Sequence, residues 1–336
     1  MKGEKILLSH GSGGRLSYNL IKELILPNFT SPYLQKLDDG AILRMKGFRL
    51  AYSTDSYTVD PLFFKGGDIG TLAVCGTVND LAMCGAKPLY LSCSLIIEEG
   101  FPLSCLEEIV LSIKRASLMA GVDIVTGDTK VVNRGAVDRL FINTSGIGLV
   151  KEGINISGGN ARVDDVIILN GPIGNHGITV LSTREGLKFE TSVQSDVAPL
   201  NLLVNDIFEV SQDIHVLRDP TRGGLATTLN EIALSSGVEI EINEEDIPVD
   251  EEVQAACEIL GYDPLYLANE GKLVAFVPPA IAPEILRKMK ENKYGSKSKI
   301  IGKVVKKSEG LVCLRTRIGG KRIVDMLTGE QLPRIC

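Results

Sequence analysis

Strand-like and helix-like segments follow one another between residues 40 and 150, and this order constrains the fold more than any other feature of the chain. The patterns predict strands at 48–55, 88–97, 122–126 and 138–150, with helices at 66–84 and 102–120. The resulting order is strand, helix, strand, helix, strand, strand, which predicts an α+β sheet with helices on one face. The opposite face of such a sheet stays apolar and uncovered, so we expect a second subunit to cover it.

The alternation resumes after a segment rich in Gly, Ser and Asn at 153–160, which we interpret as a domain boundary. Strands are predicted at 165–170, 215–217, 238–242 and 273–277, and helices at 175–185, 199–212, 224–235, 249–260 and 282–292. This pattern is typical of an α/β domain. We therefore expect domains at 1–152 and 160–327, followed by a flexible tail at 328–336.

Composition excludes several classes of function. The 336 residues carry a formal net charge of −6, and no segment interleaves basic with aromatic residues, so we expect no nucleic-acid partner. No signal-peptide pattern opens the sequence and no apolar run reaches the roughly 18 residues of a membrane span, which favours a cytoplasmic protein without membrane contact. The 7 Cys and 3 scattered His predict neither a disulfide framework nor a zinc site.

The loop at 10–15 contains three Gly in four positions, Gly11, Gly13 and Gly14. Glycine allows positive φ angles and lets backbone amides approach an anion. Because the loop is not a Walker A sequence, phosphate contact and a simple flexible turn both remain open. A helix is predicted after the loop, from Leu16 to Leu26, with Pro27 as its stop.

Carboxylates recur near the ends of predicted elements, at Asp39, Asp55, Asp80, Asp128 and Asp219. Any one of them alone is typical of a helix cap or a turn. Together they favour a nucleotide·Mg site, because magnesium prefers hard oxygen ligands and links carboxylates to substrate phosphates. Asp80 falls among apolar residues of a predicted helix, so it either faces solvent or is held by a cation.

The sequence ends in Leu332-Pro333-Arg334-Ile335-Cys336, and a thiol at a free end is a nucleophile on a mobile tether. The plain alternative is a cysteine that happens to fall last, since only Arg334 nearby would lower the pKa of its thiol. Pro333 favours an extended tail because its ring fixes φ.

Several segments in this order resemble an ATP-binding superfamily that includes aminoimidazole ribonucleotide synthetase, selenophosphate synthetase and thiamine-monophosphate kinase. These segments are 9–14, 53–55, 76–80, 127–130 and 218–224. Within that superfamily, residues 125–130 (VTGDTK), 269–272 (NEGK) and the ending PRIC are similar to the carbamoyl dehydratase family of [NiFe]-hydrogenase maturation, the HypE family. The resemblance covers nearly the whole chain.

The resemblance implies two α/β domains and a homodimer whose amino-terminal sheets join into a barrel. It also implies that a HypF-type carbamoyltransferase loads a carbamoyl group on Cys336 and that ATP with Mg²⁺ drives its dehydration to a thiocyanate. A HypC–HypD scaffold then receives the cyano group for its iron. Phosphorylation of the carbamoyl oxygen turns water loss into phosphate loss, while a base removes the nitrogen protons.

The same resemblance assigns roles to individual residues. Cys336, Lys130 and Glu270 are the predicted catalytic residues, with Glu270 as a base and Lys130 as a charge stabiliser or proton carrier. The plain alternative for Lys130 is a solvated loop lysine, and for Glu270 it is a turn residue paired with Lys272. The nucleotide-binding residues implied are Gly11, Gly13, Asp39, Asp55, Asp80, Thr126, Gly127 and Asp128. The magnesium ligands implied are Asp39, Asp80 and Asp219. We interpret His176 and His215 as structural, because nothing nearby in the sequence supplies a triad partner.

Two rival functions remain at this point. A selenophosphate synthetase-like enzyme is disfavoured, because such enzymes resemble this chain in the opening loop but carry a reactive Cys or selenocysteine there, whereas no Cys precedes Cys75. A non-catalytic adaptor that docks through its tail is the second rival. For an adaptor, deletion of the tail would abolish complex formation without changing ATP turnover.

Overall fold

The computed structural model describes residues 5–29, 31–184, 191–329, 332 and 334–336. Pro333 and the predicted end of the helix at 185 lie outside the described residues. The chain is helical from Arg15 to Asn28, through α1 (Arg15–Leu20), a π-helical turn (Ile21–Ile25) and a 3₁₀ turn (Leu26–Asn28). Pro27 lies in the first turn of the 3₁₀ segment, where a missing N–H is tolerated, so the predicted stop was wrong by about half a turn. Two further 3₁₀ turns span Leu8–Gly11 and Leu34–Lys36.

The first half of the chain builds one five-stranded sheet and a small hairpin. Its strands are β1 (Ala41–Met45), β2 (Phe48–Tyr57), β3 (Phe63–Phe64), β4 (Gly67–Asp68), β5 (Ala86–Glu98), β6 (Asp123–Val132) and β7 (Leu140–Val150). The sheet order is β1-β2-β7-β5-β6, and only the β5–β6 pair is parallel. The predicted helices are confirmed as α2 (Ile69–Met83) and α3 (Leu103–Ala120).

The helix α2 packs against the sheet with nearly all of its side chains buried, which confirms helices on one face. Asp68 caps its amino terminus, and the Asp68 carboxylate accepts the Thr71 N–H at 2.9 Å. The opposite face of the sheet exposes apolar side chains at Tyr52, Tyr90 and Leu149. A single chain therefore leaves this face uncovered, and its cover by a second subunit stays a prediction.

The second half of the chain builds a seven-stranded sheet in the order β14-β13-β10-β12-β8-β11-β9. Its strands are β8 (Val166–Leu169), β9 (Val216–Arg218), β10 (Val238–Asn243), β11 (Val274–Val277), β12 (Lys299–Lys307), β13 (Leu311–Arg315) and β14 (Lys321–Ile323). Its helices are α4 (Asn175–Thr183), α5 (Asn201–Val210), α6 (Gly224–Ser236), α7 (Glu251–Leu260) and α8 (Ala282–Glu291). Short 3₁₀ turns span Glu244–Asp246 and Pro264–Tyr266. The α/β character is as predicted, but no strand was predicted after residue 292, where β12, β13 and β14 lie.

The two halves share one apolar core, which includes Leu72 and Val78 of α2 together with Leu203 and Ile207 of α5. The buried amide of Asn79 strengthens this contact: it accepts the Leu200 N–H at 2.8 Å and donates to two backbone carbonyls of the second half. A second cluster lies between α6 and the seven-stranded sheet. Within the described part of the chain, no helix combines the length and the apolar character that a membrane crossing requires.

Candidate functional site

A cavity of about 450 Å³ collects carboxyl groups from both halves of the chain. Asp39 precedes β1, Asp55 lies near the end of β2, Asp80 lies on α2 and Asp219 follows β9. Because β1 and β2 are antiparallel, the start of β1 lies beside the end of β2, which brings the first two carboxylates to the same edge of the sheet. We call this space the carboxylate cavity.

Negative charge exceeds positive charge in the carboxylate cavity. Burial is the largest cause of a raised pKa at Asp39, Asp80 and Asp219, and repulsion from the neighbouring carboxylates adds to it. For Asp219 the pKa rises to about 6. Among the described lining residues only Arg218 and Arg222 are cationic, and Arg218 Nε lies 2.7 Å from Asp39 Oδ1. The cavity therefore favours binding of additional positive charge.

A second cavity of about 270 Å³ contains the end of the chain, and we call it the thiol cavity. The backbone around Cys336 is held by the first half of the chain: the Thr58 N–H donates to the Cys336 carbonyl at 3.1 Å, and the Asp60 N–H donates to the Arg334 carbonyl at 3.0 Å. The Ile335 side chain is 4% exposed. In this structure the last three residues are therefore docked.

The thiol of Cys336 lies next to the carboxyl group of Glu270. Burial raises the pKa of this thiol well above its ordinary range, Arg222 opposes the shift, and both the charge of Glu270 and a hydrogen bond with it add to the shift. Burial also raises the pKa of Glu270, which is 4% exposed. Its Oε1 atom finds no hydrogen-bond partner among the described residues. A buried acceptor without a partner beside a thiol is suited to accept a hydrogen bond from an N–H on a group that the sulfur carries.

Arg222 lies between the two cavities and lines both of them. Its Nη1 donates to the Gly11 carbonyl at 3.1 Å, and its Nη2 lies 4.0 Å from Asp55 Oδ1. Proximity to the Cys336 sulfur is the largest cause of the raised pKa of Arg222, because a thiolate there would favour the charged guanidinium. The guanidinium thus links the carboxylate cavity with the thiol.

The opening loop packs against the Arg222 backbone, and this contact explains one of its glycines. Gly13 has a φ of +78°, and a Cβ there would lie 2.7 Å from the Arg222 carbonyl oxygen. Gly11 lines the thiol cavity, whereas Gly13 lines the carboxylate cavity. Both predicted loop residues therefore lie at the site.

The predicted residues at 126–130 lie elsewhere in the single chain. Thr126, Gly127, Asp128 and Lys130 are exposed on β6, at the edge of the five-stranded sheet. The Lys130 Nζ lies 2.9 Å from an Asp128 carboxylate oxygen, and a hydrogen bond from Lys130 lowers the pKa of Asp128. None of the four lines either cavity. Their roles at the nucleotide and at the sulfur therefore stay predictions.

Sequence reasoning assigned no role to two residues that the structure brings to the site. Arg222 lies within the segment at 218–224, and the sequence pattern gives it no role of its own. His176 was interpreted as structural, but its Nε2 atom lies 2.7 Å from the Ile335 carbonyl oxygen. The sequence gives little signal for this contact, because the two residues are 159 positions apart. The other histidine, His215, lies 2.8 Å from Asp165 and lines neither cavity.

Comparison with known proteins gives matches over both halves of the chain. The family model for the amino-terminal domain of AIR synthase related proteins matches residues 37–150, and the model for the carboxy-terminal domain matches 162–313. The carbamoyl dehydratase HypE of Cupriavidus necator is 51% identical over 337 residues, covering 100% of this chain and 96% of the relative.

Solved structures match over nearly the whole chain as well. A crystal structure of a HypE–HypF complex aligns with a TM-score of 0.87 at 51% identity, covering 92% of this chain and 99% of the other. A crystal structure of HypE in complex with ATP aligns with a TM-score of 0.82 at 52% identity, covering 99% and 100%. The two-domain AIR synthase-like α/β fold is thereby confirmed.

Proposed function

The chain belongs to the HypE family of carbamoyl dehydratases of hydrogenase maturation, and we propose that it dehydrates a carbamoyl group carried on Cys336 to a thiocyanate with ATP. The product supplies the cyanide ligands of the [NiFe]-hydrogenase iron. ATP use is supported by the similar HypE structure that contains ATP. The observation that carries the assignment to Cys336 is the buried Glu270 carboxyl beside its sulfur, with Oε1 unpartnered among the described residues.

The reaction has two steps. First, the carbamoyl oxygen attacks the γ-phosphorus of ATP, ADP leaves, and one N–H proton is lost, which gives an O-phosphorylated thioimidate. Second, the C–O bond breaks, phosphate leaves and the remaining N–H proton is lost, which gives the S–C≡N group. Glu270 is the proposed acceptor of these protons, and its raised pKa suits a base that operates near neutral pH.

Arg222 is the proposed stabiliser of charge during phosphoryl transfer. It lines both cavities, so its guanidinium lies between the proposed position of the ATP phosphates and the sulfur. Charge that spreads over the transferring phosphoryl group is stabilised by a fixed guanidinium.

Magnesium is the proposed companion of ATP in the carboxylate cavity. Within the described residues, no three His, Cys, Asp or Glu side chains form a ready-made metal cage. Magnesium does not require such a cage, because it is usually coordinated by one or two carboxylates together with phosphates and waters. Asp39, Asp80 and Asp219 are the candidate carboxylates, of which the ion would take one or two, and their mutual repulsion favours a cation there. The ion would neutralise phosphate charge.

A homodimer is proposed because it gives Lys130 a route to the reaction. Lys130 lies on an exposed edge strand, and the face of the five-stranded sheet opposite α2 is uncovered. If two such sheets join into a barrel, Lys130 of the partner subunit is available to the sulfur of the first. Light scattering should return twice the 36.2 kDa chain mass, and a monomer at working concentration would contradict the proposal.

The proposed division into domains at 1–152 and 160–327 is compatible with the limits of the two family models. A HypF-type carbamoyltransferase is the proposed donor, supported by the similar structure of a HypE–HypF complex. A HypC–HypD scaffold is the proposed acceptor of the cyano group, and the cytoplasm is the proposed compartment for this ATP-dependent reaction.

Intact-mass analysis of the full chain tests the function directly. With a HypF-type partner, its carbamoyl donor and no ATP, the chain should gain the mass of one carbamoyl group, and peptide mapping should locate it on Cys336. Addition of ATP·Mg should then remove the mass of one water. An adduct that persists with ATP present, or one that is located on another Cys, would overturn the dehydratase assignment.

A further inference from the structure

The docked end of the chain is held through its backbone by a fully buried histidine. His176 is 0% exposed, and its Nε2 atom lies 2.7 Å from the Ile335 carbonyl oxygen. A carbonyl oxygen only accepts hydrogen bonds, so Nε2 must carry the proton and donate it. Burial lowers the pKa of His176, which keeps the ring neutral near pH 7. The contact therefore fixes both the tautomer of the ring and the position of the residue before Cys336.

The second ring nitrogen of His176 is held by Ser195. Nδ1 lies 2.8 Å from Ser195 Oγ, and because Nε2 carries the proton, the hydroxyl must donate to Nδ1. The same hydroxyl oxygen accepts the Val197 N–H at 3.2 Å. Phe64 packs edge-on against the ring with centroids 5.3 Å apart. The imidazole is thus fixed on both nitrogens and on one side.

The residue that follows Ser195 holds the loop of the proposed base. Asp196 accepts the Glu270 N–H at 3.2 Å and the Gly271 N–H at 3.3 Å, and it pairs with Lys272 Nζ at 3.0 Å. A Cβ on Gly271 would lie 1.8 Å from the Asp196 carbonyl oxygen, so only glycine permits this approach. The backbone of Glu270 is therefore fixed by Asp196.

Two adjacent residues consequently hold both reacting partners. Ser195 positions the residue before Cys336 through His176, and Asp196 positions Glu270. We propose that Ser195 and Asp196 jointly fix the end of the chain and the Glu270 backbone, with His176 as a positioning residue. Together they keep the docked sulfur aligned with the Glu270 carboxyl. This inference rests on the proposed function only for its effect on dehydration, because the docking itself is measurable without any turnover.

The test uses His176→Phe, which keeps a ring but removes the donor, and His176→Gln, whose side-chain amide can still donate to the Ile335 carbonyl. The first readout is the rate at which iodoacetamide alkylates Cys336, located by peptide mapping. Loss of the hydrogen bond should populate the undocked tail and raise this rate about tenfold in His176→Phe, and less in His176→Gln. Ser195→Ala should change the rate in the same direction, because His176 then loses its Nδ1 partner.

The second readout is single-turnover dehydration of preloaded carbamoyl-Cys336 with ATP, which should slow about tenfold in His176→Phe and recover in part in His176→Gln. The matched control is His215→Gln, another buried histidine, which contacts Asp165 and not the tail. It should leave both rates at the wild-type value.

The two readouts separate this inference from the proposed function. If wild-type protein fails to dehydrate the adduct, the proposed function fails while the alkylation rates still test the docking. If His176→Phe, or Ser195→Ala where His176→Phe does not fold, alkylates at the wild-type rate, the positioning role is overturned. An increase that His215→Gln shares would overturn it too, because the effect would then be general loosening of the fold.

Discussion

Asp219→Asn is expected to stabilise the protein near neutral pH while it abolishes ATP·Mg binding. Asp219 is 8% exposed and lines the carboxylate cavity with Asp39, Asp55 and Asp80. The substitution removes a negative charge that the neighbouring carboxylates repel in the folded protein. The proposed magnesium ion requires the same charge. Stability and function should therefore change in opposite directions.

The size of the effect follows from the pKa of Asp219, which rises from an ordinary 3.8 to about 6. Each pKa unit is worth about 1.4 kcal/mol, so the ionised carboxylate costs the folded state about 3 kcal/mol relative to the unfolded chain. Asparagine has no such cost. For a single unfolding transition with roughly 2.1 cal/mol/K of entropy per residue, this raises the Tm by about 4 °C.

The pH dependence has a definite sign. Because the folded pKa is the higher one, the folded state binds the proton more tightly, and the wild type loses stability as pH rises from 3.8 through about 6. The advantage of Asp219→Asn should therefore be complete at about pH 8 and roughly half as large at about pH 5, where the wild-type carboxyl is mostly protonated in the fold.

Denaturant unfolding at the two pH values measures the stability, and calorimetric titration with ATP·Mg measures the binding. Glu309→Gln is the matched control, since it removes an exposed carboxylate outside the site and should change neither quantity. If Asp219→Asn is no more stable than wild type at the higher pH, or if its advantage does not shrink at the lower one, the account of repelling carboxylates is wrong.

Three further substitutions test the assignment of roles. Glu270→Gln should still accept a carbamoyl group on Cys336 but should lower the rate of its dehydration by roughly 10²–10⁴-fold, followed by mass spectrometry, because the base is lost. Arg222→Lys keeps the charge but loses the planar fork, so single-turnover dehydration should fall by roughly 10²-fold while calorimetry still detects ATP. Cys336→Ala should leave ATP binding intact in calorimetry and abolish cyanide formation, and loss of both would show that the tail is structural as well.

Local sequence patterns were enough to predict most elements of the fold. The helix α3 was predicted to within one residue, because its apolar spacing is helical and Gly121, with a φ of +68°, ends it. The strand β6 was predicted to end at 126, since Gly127 and the polar residues after it are typical of a turn. It extends to Val132 because parallel pairing with β5 supplies its backbone partners, which is a tertiary effect.

The strand β12 was missed because its central position is not visible in its composition. It has four lysines in nine residues and a glycine near its middle, yet it lies between β10 and β8. The glycine is required there: a Cβ on Gly302 would lie 2.2 Å from the Glu241 carbonyl oxygen, at a shift of register between β12 and β8. Such close approaches depend on the partner strand, so the local pattern does not report them.

Part of the candidate site was also predictable from the sequence, and part was not. Asp39, Asp55, Asp80 and Asp219 were predictable as a group, because carboxylates that are ordinary singly at caps and turns together favour a magnesium ion and a phosphate ligand. The contact between His176 and the tail was not predictable, since it joins residues far apart in sequence through a backbone carbonyl that any residue type would provide.

The docked position of Cys336 suits only one of the two reactions proposed for it, loading of the carbamoyl group and its dehydration. A thiol whose pKa burial has raised is a poor nucleophile, so this position favours dehydration of a group already on the sulfur and disfavours its loading. Loading must therefore take place with the tail released. The tail is held by a buried Ile335 side chain, worth about 1.5–3 kcal/mol, by backbone hydrogen bonds, by the His176 contact and by the ion pair of Arg334 with Asp138. A partner that binds the released tail must supply the free energy of these contacts, which lets one cysteine serve both reactions in turn.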